Sequence, residues 1–458
     1  MLAAGRADAI ALIDAATGAM VRYDELAARV ATAAAALAAR AAGGVAFLFC
    51  KNDVATIVDY LAALTAGVPV VLLDPRLDAD TVAALIARYQ PEVVLGRDVA
   101  SAPVGPRPAP HPALALMLST SGSTGSPRLV RLSQAAVLAN ARSIAAALGL
   151  GPADVAPTSL PLHYSYGLSV VNSHLAVGAT VLLTDAGLVS DEFWRACRDH
   201  GATSLAGVPY SYQMLRRLDL GKLAPPSLRT LTQAGGRLDP ALVRHFHGVA
   251  AARGGRLFVM YGQTEATARI SVLAADDLPA HAGAVGQAVP GGALAIDASG
   301  EVIYRGPNVM MGYAEDRADL ARGDELGGEL RTGDLGRLDE AGRLWITGRA
   351  KRIAKVFGLR VNLDEIEAWL RGQPDAPVVA AIAGDDKLRV FVEGGAPDAP
   401  AALRRALAAH IGVHATGVEV RAVAALPRLA SGKIDYPALE TSTSTGAIAA
   451  SDGANSSS

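Results

Sequence analysis

A run of hydroxyl residues broken by two glycines, Leu118-Ser119-Thr120-Ser121-Gly122-Ser123-Thr124-Gly125-Ser126-Pro127-Arg128, follows directly on the apolar stretch 113–118. Glycine tolerates the dihedrals that turn successive backbone N–H groups toward one point, so such a loop can cradle anionic oxygens. A nucleotide phosphate is the ligand this chemistry suggests first. The common P-loop places four residues between its glycines and ends in Gly-Lys-Ser/Thr. Here only Ser123 and Thr124 separate Gly122 from Gly125, so a kinase-type P-loop is not supported. A Ser/Gly-rich turn can equally be a plain connection between strands, and the choice rests on partners elsewhere in the chain.

Those partners occur in order: Tyr261-Gly262-Gln263-Thr264-Glu265, Thr332-Gly333-Asp334, Gly348-Arg349 with Gly358-Leu359-Arg360, and Ser431-Gly432-Lys433. With these motifs the sequence resembles the adenylate-forming (AMP-binding) superfamily of acyl-CoA synthetases, nonribosomal-peptide adenylation domains and luciferases, from about Tyr23 to Leu439. The resemblance implies a ligase that uses ATP and Mg2+. A carboxylate attacks the α-phosphate, and a thiol of CoA or of phosphopantetheine on an acyl carrier protein then displaces AMP. Two other readings are a luciferase-type oxidoreductase that oxidises the adenylate and a non-catalytic nucleotide-binding remnant. The presence of Lys433 and Glu265 counts against the remnant.

The resemblance also distributes roles. Thr120, Ser121, Gly122, Ser123, Thr124, Gly125 and Arg128 would hold phosphates, with Arg128 standing where a lysine usually ends the loop. Lys433 would touch carboxylate and α-phosphate together, a task that suits a compact ammonium with rotatable donors. Thr264 and Glu265 offer the oxygens that hard Mg2+ prefers, and Glu265 is the metal residue. Tyr261, after which Gly262 follows, would flank adenine; Gly235 and Gly236 belong to the adenine-facing turn. Asp334 would accept from the ribose hydroxyls and Arg349 would donate to the same sugar. Lys351 would be the hinge about which a smaller domain turns. Gly358 would border the pantetheine tunnel.

An acyl pocket is expected from segments 161–167, 207–210 and 233–236, with His163, Tyr164, Tyr166, Val208 and Pro209 as its residues. Relatives that activate α-amino acids usually place an Asp after the aromatic residue of the first segment, since a buried ammonium needs a partner. Tyr164 stands there instead, so the implied substrate is a carboxylic acid without an α-ammonium group.

Composition sets the bounds around this chemistry. A chain of 458 residues exceeds the size at which single cores stop growing. With 42 basic and 44 acidic residues, the net charge of −2 gives no field for nucleic acid or an anionic membrane. Cys50 and Cys197 lie far apart without metal-ligand spacing, and Arg6, Asp8 and Asp14 interrupt any leader-like apolar core. No apolar stretch reaches the roughly 18 residues of a membrane span. The expectation is a cytoplasmic enzyme with no nucleic-acid partner.

Elements that would position the motifs alternate along the chain. Strands read at 9–13 and 20–22, then a helix at 23–42. A β-α-β-α-β series follows over 45–49, 54–66, 68–73, 79–88 and 93–95, and a second series over 133–148, 154–159, 167–176 and 180–183. Such alternation predicts an α/β fold with helix-covered, largely parallel sheets. The expected division is a large N-terminal domain over 1–350, a smaller mobile α+β domain over 351–440, and a Ser/Thr-rich tail over 441–458 without structure.

Overall fold

The computed structural model describes residues 2, 7–101, 107–119, 128–349, 352–357, 359–372, 378–384, 387–394, 399–429 and 434–444. The first β-α-β-α-β series forms the parallel heart of a six-stranded sheet. Val93–Leu95, Ala46–Phe49, Val70–Leu73 and Leu114–Ser119 run parallel, in that spatial order. The strands Ala46–Phe49, Val70–Leu73 and Leu114–Ser119 are buried almost throughout, as their continuous apolar runs require when helices cover a sheet. The covering helices start where the sequence supplies acceptors. Asp53 takes the Thr56 N–H at the head of Val54–Ala66, and Asp78 takes the Thr81 N–H at the head of Ala79–Tyr89.

Two antiparallel strands complete that sheet, Leu129–Ser133 beside Leu114–Ser119 and Gly312–Ala314 at the edge. Ser119 pairs with Leu129, so the hydroxyl-rich segment joins two neighbouring strands at one end of the sheet. Its residues 120–127 lie outside the described ones. A five-stranded sheet sets Ser204–Gly207, Thr230–Gln233 and Arg256–Tyr261 in parallel, with Ser271–Leu273 and Gln287–Ala288 antiparallel beyond them. An antiparallel sheet of Ala293–Ile296, Glu301–Arg305, Glu329–Leu338 and Leu344–Arg349 carries the Thr-Gly-Asp and Gly-Arg motifs on adjacent strands.

Beyond residue 352 the elements are smaller: a two-stranded ribbon, the three-stranded sheet Val378–Gly384, Lys387–Glu393 and Val418–Val423, and the helices Leu363–Arg371, Ala399–Ile411 and Tyr436–Ser444. Their buried residues, among them Val356, Ile366, Leu370, Val390 and Leu407, form clusters of their own.

Two expectations change. The strand read at 154–159 is only Val155–Pro157, because the Asp154 carboxylate turns back to accept from Gly151 N–H and to pair with Arg229. The helix Tyr436–Ser444 carries order into residues 441–444, where composition suggested a structureless tail. Asp435 caps it through the Ala438 N–H, and Leu439 is buried beside Ile382, Phe391 and Leu426. Residues 445–458 lie outside the described ones.

Candidate functional site

Three motif residues far apart in sequence meet at one carboxylate. Asp334 follows Gly333, whose φ of +72° turns the chain in the left-handed region. Across the antiparallel pairing it faces Arg349, whose Nε donates to Oδ1 at 3.1 Å. The Tyr261 hydroxyl, at the end of Arg256–Tyr261 in the neighbouring sheet, donates to Oδ2 at 2.5 Å. Gln263 Nε2 donates to the Thr332 carbonyl at 3.2 Å and ties the two sheets together beside this contact. Burial pushes the Asp334 carboxyl above its usual range, opposed by the Arg349 charge and the Tyr261 hydrogen bond. The Tyr261 phenol is held well above its ordinary value by burial and by the adjacent carboxylate. Each carboxylate oxygen offers about two acceptor sites, so Asp334 keeps capacity for further hydroxyl donors.

A second group forms around Glu265. Its Oε1 accepts from the Tyr313 hydroxyl at 2.8 Å. The Arg128 guanidinium lies 4.5 Å from the centre of the Tyr313 ring. Tyr313 belongs to the edge strand Gly312–Ala314 and pairs with Val130. One aromatic side chain therefore links the residue that closes the hydroxyl-rich segment to the acidic residue of the second motif. The Thr264 hydroxyl donates to Ser165 Oγ at 3.2 Å, at the first turn of Ser165–Ala176.

The segment holding these residues is tightly bent. Gly262 passes the Ala268 carbonyl so closely that a Cβ would sit 2.0 Å from its oxygen. Thr267 has φ +62° and ψ −60°, and the Ala268 N–H reaches back to the Ala266 carbonyl at 2.6 Å, a γ-turn with positive φ. A β-branched residue pays about 1–3 kcal/mol for such a conformation, and strain of this kind collects at functional sites. Asn308 over-determines it. Its amide donates to the Ala266 and Arg269 carbonyls at 2.8 and 2.9 Å, its own carbonyl receives the Thr267 hydroxyl, and Tyr304 donates to its Oδ1.

The residues expected from the sequence to line an acyl pocket also converge. Gly235 has φ +82°, and a Cβ there would lie 2.5 Å from Tyr164 Oη and 3.1 Å from Val208 Cγ1. At Gly236 a Cβ would meet Pro209 Cγ at 3.2 Å. Burial raises the Tyr164 phenol to about 12. Tyr166 is turned inward: it is buried, its hydroxyl donates to the Thr232 carbonyl at 2.9 Å, and the Arg269 guanidinium lies over its ring. His163 Nε2 stands 3.5 Å from Asp74 Oδ2, just past the strand Val70–Leu73. Burial lowers the His163 pKa, with Asp74 acting in the opposite direction.

Thus Tyr261, Asp334 and Arg349 come together, as do Arg128 and Glu265 through Tyr313, and Tyr164, Val208 and Gly235. The positions Thr120, Ser121, Gly122, Ser123, Thr124, Gly125, Lys351, Gly358 and Lys433 lie outside the described residues. Among the described residues no three His, Cys, Asp or Glu side chains cluster as a metal cage. A lone carboxylate at Glu265 still suits Mg2+, which is usually held by one or two carboxylates plus phosphate oxygens and water. Sequence reasoning missed Tyr313, Asp74 and Arg269, none of which carries a local motif, and placed Ser165 only within the segment 161–167.

The AMP-binding enzyme profile matches residues 2–108 and 97–314. This chain belongs to the AMP-binding enzyme family. Among its relatives, the sulfoacetate–CoA ligase of Cupriavidus necator is 31% identical over 388 residues, covering 81% of this chain and 73% of that protein. The indoleacetate–CoA ligase of Aromatoleum aromaticum is 32% identical over 364 residues, covering 75% and 70%. The AMP-binding fold is shared with the O-succinylbenzoate CoA synthetase of Bacillus subtilis in complex with AMP, at TM-score 0.76 and 22% identity over 93% of this chain and 94% of that one. It is shared also with ATP-bound MatB of Rhodopseudomonas palustris, at TM-score 0.77 and 23% identity over 96% and 97%. No helix among the described residues is long and apolar enough to cross a membrane.

Proposed function

We propose that this AMP-binding enzyme joins a carboxylic acid to a thiol in two steps. The substrate carboxylate attacks the α-phosphorus of ATP, a C–O–P linkage forms, the bond to the β-phosphate breaks, and pyrophosphate leaves. The thiol sulfur of CoA then attacks the acyl carbon, AMP departs with the bonding pair, and the thiol proton passes to solvent. The carrying observation is the convergence of Tyr261 and Arg349 on the buried Asp334 carboxylate, which makes a fixed anionic acceptor for a pair of sugar hydroxyls. Tyr261 is anchored by that same bond, so its ring is a preset wall for the base. Glu265 would hold Mg2+, which would offset phosphate charge. Tyr313 fixes the orientation of Glu265, and the stacked Arg128 offers its guanidinium to phosphate oxygens.

Lys433 bridges carboxylate and α-phosphate in the first step. The region after Lys351 turns as a unit to exchange Lys433 for the tunnel at Gly358, since one centre cannot hold both the lysine and the incoming thiol. The acid carries no α-ammonium, because Tyr164 occupies the position where a pairing carboxylate would be needed. CoA as acceptor is supported by relatives named as CoA ligases of sulfoacetate, indoleacetate and oxalate. A carrier-borne phosphopantetheine is the second acceptor, supported by similarity to a stretch of the probable non-canonical nonribosomal peptide synthetase CymA of Salinispora arenicola, at 28% identity over 83% of this chain and 5% of that protein. The free, buried thiols of Cys50 and Cys197 fit a reducing cytoplasm. The test is acid-dependent pyrophosphate release across short, branched, aromatic, hydroxy and dicarboxylic acids, with and without CoA. Thioester formation with CoA supports the ligase, adenylate that accumulates despite CoA moves the acceptor to a carrier protein, and no release with any acid refutes the proposal.

A further inference from the structure

Three arginines are buried among the described residues: Arg131, Arg269 and Arg317. Arg131 pairs with Glu325 at 2.5 Å and Arg317 with Glu92 at 2.9 Å. Arg269, only 3% exposed, has no acidic partner among the described residues. Its guanidinium lies 4.2 Å from the centre of the Tyr166 ring, and its Nη2 donates to Ser169 Oγ at 3.1 Å. Nη1 reaches the Ala268 carbonyl only at 3.5 Å, and Nε meets no acceptor among the described residues. The titratable groups that face it are the phenols of Tyr164 and Tyr166, not carboxylates.

A buried guanidinium without a counter-charge costs several kcal/mol by desolvation, and a tyrosine face returns only about 2 kcal/mol of that. The main chain at Arg269 is nonetheless held from both sides. The Arg269 N–H donates to Asn140 Oδ1 at 3.2 Å, and the Arg269 carbonyl accepts from Asn140 Nδ2 at 3.0 Å and Asn308 Nδ2 at 2.9 Å. It lies four residues after Glu265, and the Tyr166 ring beneath its guanidinium packs edge-on 6.3 Å from the ring of Tyr164, whose hydroxyl crowds Gly235. The unpaired cation therefore belongs to the acyl side of the site.

We propose that Arg269 receives a second oxyanion of the acid substrate, so that the enzyme activates small acids bearing a carboxylate or sulfonate at the end remote from the reacting carboxyl. The proposal rests on the ligase reading above and names the substrate class for it. Ion pairing with the guanidinium supplies the missing counter-charge, and its planar fork suits either oxyanion.

The test uses the full chain with malonate, succinate and glutarate, a sulfo-acid of matching length, and the monocarboxylates propanoate, butyrate and pentanoate. Wild-type kcat/KM for pyrophosphate release should favour a diacid or the sulfo-acid over its isosteric monoacid by about 100-fold, the scale expected when one partner of a buried charged pair is lost. The arm that wins distinguishes carboxylate from sulfonate. Arg269→Met keeps the apolar stem and should lower the ratio of diacid to monoacid kcat/KM about 100-fold, through KM, with Arg269→Lys restoring part of it. A purely structural arginine would lower both substrates together and leave the ratio unchanged, which overturns the proposal. So does a wild-type enzyme that turns over monoacids as well as diacids. Thermal shifts separate this result from failure of the ligase reading. No turnover with any acid, but a rise in Tm with a diacid that the monoacid does not give, refutes the ligase and retains the anion site; neither turnover nor shift refutes both.

Discussion

Asp334→Asn removes the charge on which Tyr261 and Arg349 converge while keeping the side-chain volume. Asparagine can still accept from the Tyr261 hydroxyl through its carbonyl, but its amide then faces Arg349, donor against donor. Two charge-assisted hydrogen bonds to sugar hydroxyls would be weakened, each contributing about 1.5–3 kcal/mol when the acceptor is ionised. The Arg349 side chain is 63% exposed, so its own loss of a partner is largely met by water. A total of about 2–4 kcal/mol follows, a rise in KM for ATP of about 30- to 1,000-fold. Stability should change little, by about 1 kcal/mol, or a Tm change of about 2–4 °C. The pH dependence has a definite sign. Because burial raises the folded pKa of Asp334, the folded chain holds this proton more tightly than the unfolded one. The wild type is relatively most stable below the unfolded value of about 3.9 and loses that increment as pH rises through the folded one. The asparagine variant loses nothing there, so its Tm relative to wild type should improve with rising pH across that window. Steady-state KM for ATP, AMP calorimetry and melting curves from pH 3.5 to 7 measure all of this. A KM within about threefold of wild type in a folded variant would refute the reasoning.

Tyr313→Phe deletes the hydroxyl that donates to Glu265. Half-saturation by Mg2+ in the pyrophosphate assay should rise about tenfold, as expected for about 1–2 kcal/mol of lost charged hydrogen bonding; an unchanged Mg2+ titration would detach Tyr313 from the metal. Lys433→Ala should abolish adenylate formation yet retain much of the thioester step from a preformed acyl-adenylate, and equal loss in both assays would remove the lysine from its bridging role. His163→Gln should flatten the acid side of the stability profile. Burial depresses the folded His163 pKa below the ordinary value, so the unfolded chain takes up a proton first and wild-type stability falls as pH drops below about 6.5. Melting curves at pH 5 to 8 that are parallel for the two proteins would exclude this.

What could be read from the sequence were features whose causes are local. The helices read at 54–66 and 79–88 appear as Val54–Ala66 and Ala79–Tyr89, and the runs at Ala46–Phe49 and Val70–Leu73 are apolar enough to be sheet interior. Tyr261, Asp334 and Arg349 were readable because each lies in a short motif around glycine, although their meeting depends on two sheets coming into contact. Tyr313 had no such signal. It stands 48 residues from Glu265 and reaches it only because Gly312–Ala314 pairs in one particular register with Leu129–Ser133. Arg269 was equally silent, since an arginine reads as a surface residue and only burial shows that its charge lacks a partner. The capped helix entering the Ser/Thr-rich tail was hidden because composition there outweighed Asp435 and Leu439.

The bend between Tyr261 and Arg269 explains why these functions are held together. Within nine residues it carries the Tyr261 ring, the Thr264 hydroxyl, the Glu265 carboxylate and the Arg269 guanidinium, the groups to which the proposals above assign base, metal, phosphate and remote oxyanion. Such density requires a backbone that doubles back, which Gly262 permits by its close approach to Ala268 and Thr267 achieves against its own preference. Strain at Thr267 would relax if the bend could open, and Asn308 prevents this by bonding to both sides of the turn. Asn308 lies four residues before the Gly312–Ala314 strand, and the Met310 N–H between them donates to the Glu265 carbonyl at 2.9 Å. The same short segment thus braces the bend and delivers Tyr313 to Glu265. Glu265, Tyr313 and the backbone of Arg269 are thereby held relative to one another by hydrogen bonds, the kind of preset geometry that in-line attack of an acid on an α-phosphate would need.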